Sequence, residues 1–479
     1  MLKINIIKSG IWSYLNVFFR GTIAILVGLL FSRFIDVEIY GYFVIGSIII
    51  MFLTYCGGLG VSEFIIHKEK IDAKEFKNCL SITFVASLFL ILVLNTFLLV
   101  IPLQEEYSKI IYILKILSIV ILPRNLLGVI NSKWYRELNN KVITKISIVV
   151  EIFSFFIALF LVFKIEPLNS LLIYTIAKSI LHLLITLKIK EIKLQFSFDY
   201  KLAKEIIKFG FPLIISSVIN YINLQAPKIA CALFLGPYYL GLLSAAILIT
   251  DSLHGIFQTS LWSLWMPFLG KTKREFPKRF GEMYLRVRNM QSSIIIPILI
   301  SIIALREELV ELFLPNKFYQ ISNLMPLLCV SGIIISCNYL FKPVLILVGE
   351  TKKRLYYDFS RLILYLIFFN QKIEYSLDYI LYSYLIIEFI LFIVCQVYLQ
   401  SIIKKRLIPQ LSTLKSIFIS SLPLIIYPLI FGRFLEEINN ISYLFIFISS
   451  NFFSYLTLIY ITDKKLFLEF VNFKNILKL

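Results

Sequence analysis

The sequence is short of charge: only 16% of its 479 residues are Asp, Glu, Lys or Arg, against about 25% in soluble domains. Histidine and cysteine, the residues of metal and disulfide centres, are also scarce. His67, His182 and His254 are scattered with no ligand spacing. The six cysteines, Cys56, Cys79, Cys231, Cys329, Cys337 and Cys395, form no C-x-x-C pair and mostly sit inside apolar runs. They read as small buried hydrophobes, and no metal site is expected. A Walker-type nucleotide loop is missing too, which argues against ATP as a driving force. A soluble enzyme and a disulfide scaffold are excluded, and a 59% hydrophobic content excludes a disordered chain.

Long apolar runs are what the sequence has in abundance, and its mean hydropathy is +0.85. Runs of about 20 residues recur throughout, the mark of a helical protein that crosses a bilayer many times. Fourteen spans are expected, at 11–32, 41–60, 79–102, 108–130, 143–163, 168–187, 207–227, 236–258, 290–305, 323–347, 358–371, 378–400, 414–431 and 441–461. The first follows Lys3 and Lys8, is too long for a signal-peptide core and lacks an A-x-A site, so it is expected to be retained.

The basic residues test this map. With the N-terminus placed in the cytoplasm, 35 of the 48 Lys and Arg fall on the inner side, 8 on the outer side and 5 within spans. Every inner loop carries at least four and no outer loop more than two, as the positive-inside rule requires. An even span count with both termini cytoplasmic follows. The net charge of +19 is therefore mainly a topology signal, and no nucleic-acid partner is expected, because the aromatics near the Lys271–Arg288 run form no stacking platform.

The chain also repeats itself. Ile6-Ile7-Lys8-Ser9-Gly10 and Ile206-Ile207-Lys208-Phe209-Gly210 match at an offset of 200 residues, as do Tyr40-Gly41 and Leu240-Gly241. Six spans per repeat give two halves of like orientation, an arrangement of alternating-access transporters. The fold expected is an all-α polytopic membrane protein of about 14 transmembrane helices. It comprises two pseudo-symmetric six-helix lobes, 1–200 and 201–400, and two additional helices in 401–479.

Ionisable and polar groups inside spans are costly, so each is a functional candidate. Ser9, Ser13, Asn16 and Arg20 form one narrow helical stripe; Ser216, Asn220 and Asn223 form another on the seventh span, with Asn220 opposite Arg20 in the repeat. Together they predict a hydrophilic cavity between the lobes. Lys115 and Arg124 lie nine residues apart, on opposite faces unless Pro123 distorts the helix, and Arg124 is the preferred cavity residue. Lys178, Lys342 and Arg361, near span ends, are expected to snorkel unless they serve the site. Arg20, Arg124, Asn16, Asn220, Asn223 and Lys178 are the candidates for substrate binding. Asp251 and Glu151 are the carboxylates for coupling to Na+ or H+, Glu151 equally a structural partner for a nearby cation. Pro212 is a candidate hinge or a first-turn proline.

Leu29-Leu30-Phe31-Ser32-Arg33-Phe34 with Glu38-Ile39-Tyr40-Gly41 resembles the join between the first two spans of the Wzx-type O-antigen and capsule flippases. These belong to the multidrug/oligosaccharidyl-lipid/polysaccharide exporter superfamily. Gly57-Gly58-Leu59-Gly60 with Ser62 resembles that family's exit from the second span. Phe234-Leu235-Gly236 through Leu240-Gly241 and Ala245-Ala246 resembles a further segment, and Val348-Gly349-Glu350-Thr351-Lys352 its glycine turn after the tenth span. Ser32 stands where the family usually has alanine. The resemblance covers about residues 8–400. It implies two lobes around a cationic cavity in the bacterial plasma (inner) membrane. The cargo it implies is an undecaprenyl-pyrophosphate-linked oligosaccharide, moved from the cytoplasmic to the outer leaflet, with a polysaccharide polymerase as a partner downstream. Arg20 and Arg124 would then be candidates for holding the pyrophosphate, chosen for their place inside spans because the family has no fixed motif there, and no cofactor is implied.

Two rival readings stay open. A cation-coupled exporter of the same superfamily would want an acidic cavity and about twelve spans. A lipid-linked glycosyltransferase or polysaccharide polymerase would want a long outer loop; Asp36-Val37-Glu38 is an acidic pair in the first one, but that loop is short.

Overall fold

The computed structural model describes residues 2–68, 71–100, 105–137, 139–189, 194–370, 375–404, 407–426 and 440–471. Among them every regular element is helical. The chain forms two compact units, Met1–Ser244 and Ala245–Leu479.

The first unit contains α1 (Leu2–Phe34), α2 (Val37–Gly57), the short α3 (Val61–His67), α4 (Ala73–Val100), α5 (Glu105–Leu117), α6 (Ile121–Arg136), α7 (Asn140–Val162), α8 (Pro167–Ile189), α9 (Tyr200–Phe234) and the first turns of α10 (Pro237–Glu275). Helix α1 lies along α7, which packs on α8; α2 packs on α5, α6 and α9. The second unit holds the rest of α10, then α11 (Phe280–Ala304), α12 (Arg306–Phe313), α13 (Met325–Asn338), α14 (Phe341–Val348), α15 (Thr351–Phe369), α16 (Leu377–Ile403), α17 (Leu407–Ser421), α18 (Asn440–Thr462) and α19 (Lys464–Val471). Its centre is α13, packed on α11 and α16.

A helix lies at every one of the fourteen positions read as spans. Among the described residues nine are long and apolar enough to cross a bilayer, and the chain is a multi-pass membrane protein. Large apolar side chains such as Phe89, Leu92, Phe97, Phe153, Phe156 and Phe160 point outward, as side chains facing acyl chains must.

Three differences from the sequence expectation have physical causes. Spans nine and eleven, expected at 290–305 and 358–371, begin about ten and seven residues earlier, in α11 and α15. Hydropathy stops at charges, but these charges are satisfied inside the protein. Arg288 donates to Gln396 and Asn289, Asp358 pairs with Lys342 at 2.5 Å and Arg361 pairs with Glu388. Spans four and ten are each interrupted: a 3-10 turn at Ser118–Val120 separates α5 from α6, and Tyr339-Leu340 separates α13 from α14. Each break lies a few residues before a proline, Pro123 or Pro343, whose missing N–H leaves the carbonyl four residues earlier without its helical bond. Pro212 is neither terminal nor at a break, since α9 runs through it and through Pro227.

Outside the membrane, Asp199 caps α9 by accepting from the backbone N–H of Lys201 and Leu202. The Lys74 ammonium 3.0 Å away, together with the Leu202 N–H, holds its carboxyl below the usual range.

The two glycines paired by the 200-residue offset meet each other's helices. A Cβ on Gly41 would lie 1.7 Å from the Pro237 carbonyl oxygen, and one on Gly241 would lie 2.0 Å from the Val37 carbonyl oxygen. Position 237 is the repeat equivalent of position 37, so the contact is reciprocal. No backbone tolerates such an overlap, and either alanine must push α2 and α10 apart. Gly41→Ala and Gly241→Ala should each lower the melting temperature in detergent by about 4 °C or more. Gly58→Ala, where the nearest atom is 3.6 Å away and the backbone is right-handed, should leave it unchanged. Equal melting of all three would refute the steric argument.

Candidate functional site

Four of the residues singled out from sequence line one cavity of about 450 Å3 inside the first unit: Arg20 of α1, Arg124 of α6, Glu151 of α7 and Lys178 of α8. That volume is in the range of small-molecule sites. Apolar packing forms part of the wall, with Ile50 of α2, Leu117 and Val120 belonging to one buried cluster. Tyr174 comes from another, which locks α1 and α7 to α8.

Glu151 is the hub. Its carboxylate, 4% exposed, accepts from Lys178 Nζ at 2.6 Å and lies 3.7 Å from Arg20 Nε. Lys178 also donates to the Tyr174 hydroxyl at 3.4 Å. Arg20 approaches the carboxylate through its Nε, and its side chain remains 60% exposed. The Arg124 guanidinium donates to Met51 Sδ at 3.5 Å, and among the described residues it has no carboxylate within ion-pair distance. Three cations thus face one carboxylate, and His182 completes the polar lining with Ser47, Thr175 and Ser179. A cavity carrying two excess positive charges beside two guanidinium edges suits a ligand with two adjacent anionic groups, which arginine grips in bidentate fashion.

The break before Pro123 shapes this site. Arg124 lines the cavity while Lys115, on the other side of the 3-10 turn, is exposed away from it.

Other candidates lie elsewhere. Asn16 is half-buried on α1 outside the lining. The α1 stripe is partly helix glue, because Asn140 of α7 donates to Ser13 at 2.7 Å and Thr144 to the Trp12 carbonyl. Such interhelical hydrogen bonds are common where no water competes. Asn220 and the fully buried Asn223 sit on α9 and do not line this cavity; the Tyr221 hydroxyl between them donates to the Ile48 carbonyl. The side chains of Asp251, His254 and Gln258 on α10 lie outside the described residues. Lys178, Lys342 and Arg361 do not snorkel. Each meets a carboxylate on a neighbouring helix, Glu151, Asp358 and Glu388 respectively, which removes the reason to seek water.

His182 and Tyr174 were not singled out as site residues, yet a signal exists. Tyr174, Lys178 and His182 step by four along α8, one face of a helix. Among the described residues no group of His, Cys, Asp and Glu could hold a metal.

The second unit holds a counterpart with its signs exchanged. Glu151 and Lys178 are 27 residues apart, and so are Arg361 and Glu388. The two pairs are related by 210 residues (151 to 361, 178 to 388), as are the starts of α8 and α16 and the tyrosines Tyr174 and Tyr384. In the second unit the acid sits on the later helix, and the Tyr365 hydroxyl donates to the same Glu388 oxygen at 2.7 Å. Arg361 and Glu388 are only 8% and 5% exposed. This pair is sealed; the first one is open to a cavity.

Comparison with known proteins bears on both fold and family. A family model described as "Polysaccharide biosynthesis protein" matches residues 30–323. No curated protein matches by sequence. Among solved structures, the lipid II flippase MurJ in an inward closed conformation is similar over 95% of this chain and 99% of that one, with 17% identity and a TM-score of 0.73. An outward-facing multidrug resistance MATE family transporter of the MOP superfamily is similar over 84% and 97%, with 14% identity and a TM-score of 0.58. A MOP superfamily transporter from Pyrococcus furiosus, described as having a binding pocket of reverse polarity, gives 12% identity over 84% and 97% and a TM-score of 0.52. At such identities the likeness establishes the fold, that of the MOP transporters.

Proposed function

Because the chain belongs to the polysaccharide biosynthesis protein family, we propose that it is a flippase for a lipid-linked oligosaccharide. The carrier lipid is undecaprenyl pyrophosphate, and the direction is from the cytoplasmic to the outer leaflet of the bacterial inner membrane. One observation carries this reading: Arg20, Arg124 and Lys178 outnumber Glu151 in a cavity at the heart of membrane-spanning helices. The headgroup of a lipid-linked sugar cannot cross about 30 Å of hydrocarbon unaided. A wet cationic cavity gives the diphosphate a resting place on the way, while the lipid tail stays in the bilayer.

The excess of basic residues on one side supports cytoplasmic termini. An inside-negative potential then favours outward movement of a dianion, by about 2.3 kcal/mol per charge at 100 mV. Glu151 is already engaged by Lys178 and Arg20, which leaves Asp251 as the candidate for coupling to Na+ or H+. The flipped unit would pass to a polysaccharide polymerase making O-antigen or capsule.

A second reading, export of a small molecule, has the MATE-like fold in its favour. A net positive cavity repels organic cations, so this reading would be restricted to anions. Deleting the protein and analysing lipid-linked intermediates separates these readings. Build-up of unpolymerised lipid-linked repeat units is the expected result. A normal intermediate pool would refute the flippase, and loss of one sugar linkage would point to a glycosyltransferase.

A further inference from the structure

Resting on the flippase reading of this cavity, we infer that Glu151 is a release device: a resident carboxylate that competes with the cargo's diphosphate for Lys178 and Arg20 and so keeps binding weak enough for turnover.

The geometry points to competition. The charged and titratable groups that share the cavity with Glu151 are Arg20 from α1, Arg124 from α6, and Tyr174, Lys178 and His182 from α8, of which Arg20 and Lys178 are its ion-pair partners. Glu151 engages two of the three cations that an incoming diphosphate needs. It is buried where they are accessible: 4% exposed against 60% for Arg20 and 27% for Lys178. The cations can therefore turn toward a ligand while the carboxylate stays in reach, ready to take them back. The pair in the second unit shows what a purely structural version looks like. Spaced identically along the chain, Arg361 and Glu388 are closed over by Tyr365 and barely exposed. The Glu151–Lys178 pair has no such seal and leaves its cations accessible in the cavity.

A carrier must let go of what it holds. Uniformly tight binding lowers the apparent KM without raising turnover. The repulsion between Glu151 and a ligand scales with ligand charge. Removing the carboxylate should therefore strengthen binding of a dianion about as the square of its effect on a monoanion.

The test uses the full chain in detergent and in vesicles, with two soluble probes: a short-chain prenyl diphosphate bearing N-acetylglucosamine, and its monophosphate analogue. Glu151→Gln and Glu151→Ala, which remove the same charge by different shapes, should bind the monophosphate about 5-fold and the diphosphate about 25-fold tighter. Both should translocate the diphosphate probe more slowly at saturation, with a lower KM. Glu151→Asp, which keeps the charge, should behave nearly as the parent. Equal shifts for the two probes, weaker binding, or loss of the folded protein in both neutral variants would overturn the inference and make Glu151 a structural ion-pair partner. The parent reading fails separately: if the unmodified chain binds neither probe, or if Arg20→Ala and Arg124→Ala bind the diphosphate undiminished, the cavity is not the cargo site and the inference falls with it.

Discussion

Arg124→Ala should reach the membrane in normal amount and move almost no lipid-linked sugar. Among the described residues no carboxylate pairs with Arg124, and its contact to Met51 Sδ is weak. Truncation leaves no buried acid stranded, so the fold loses little. The cavity, however, loses the guanidinium that is not already committed to Glu151. Removing a hydrogen-bonding partner of a bound anion costs about 1.5–3 kcal/mol, a fall of about 10-fold to 150-fold in affinity. Arg20→Ala should act in the same direction and also leave Glu151 to Lys178 alone. The measurement is surface glycan display beside membrane abundance. Normal display with Arg124→Ala would remove this residue from the site.

The second large effect is on folding. Glu388→Gln strands the Arg361 guanidinium in an interior that is sealed on all sides, with Tyr365 left to share what remains. Breaking a buried pair in this way costs about 3–5 kcal/mol, whereas replacing both partners by apolar side chains is often neutral. Glu388→Gln should therefore yield aggregated protein or a much lower melting temperature, and Arg361→Met with Glu388→Leu should restore it. A single variant as stable as the parent would show that the pair holds nothing together. Because the Glu151–Lys178 and Arg361–Glu388 pairs occupy equivalent places in the repeat, the contrast between a transport defect in one and a folding defect in the other distinguishes working from structural charge.

Much of this was legible in the sequence, for reasons that can be named. A helix must satisfy its own backbone in lipid, so apolar runs announce it, and fourteen positions came through that way. Charges inside those runs are costly enough to be rare, and this singled out Arg20, Arg124, Glu151 and Lys178 before any geometry was known. What one sequence hides is which helix answers which. Arg20 has no acid on its own helix, and its neighbour Glu151 comes from α7, over a hundred residues on. Lys342 and Arg361 read as span-end residues reaching for water because Asp358 and Glu388 sit on other helices. The repeat misled in one respect. It set Asn220 opposite Arg20, but matching positions need not share chemistry, as the exchanged signs of the two ion pairs show. The offset also grows from 200 at Gly241 to 210 at Arg361, which a search at constant spacing passes over.

The crossing of α2 and α10 has a consequence for how such a chain arose and can change. Gly41 accepts the backbone of residue 237 while Gly241 accepts that of residue 37, the arrangement two identical subunits adopt across a dyad, where patch meets its own copy. Duplication followed by fusion would preserve that self-complementarity without any new invention. Neither copy can enlarge this spot alone, whereas the ion pairs further along carry opposite polarity in the two repeats.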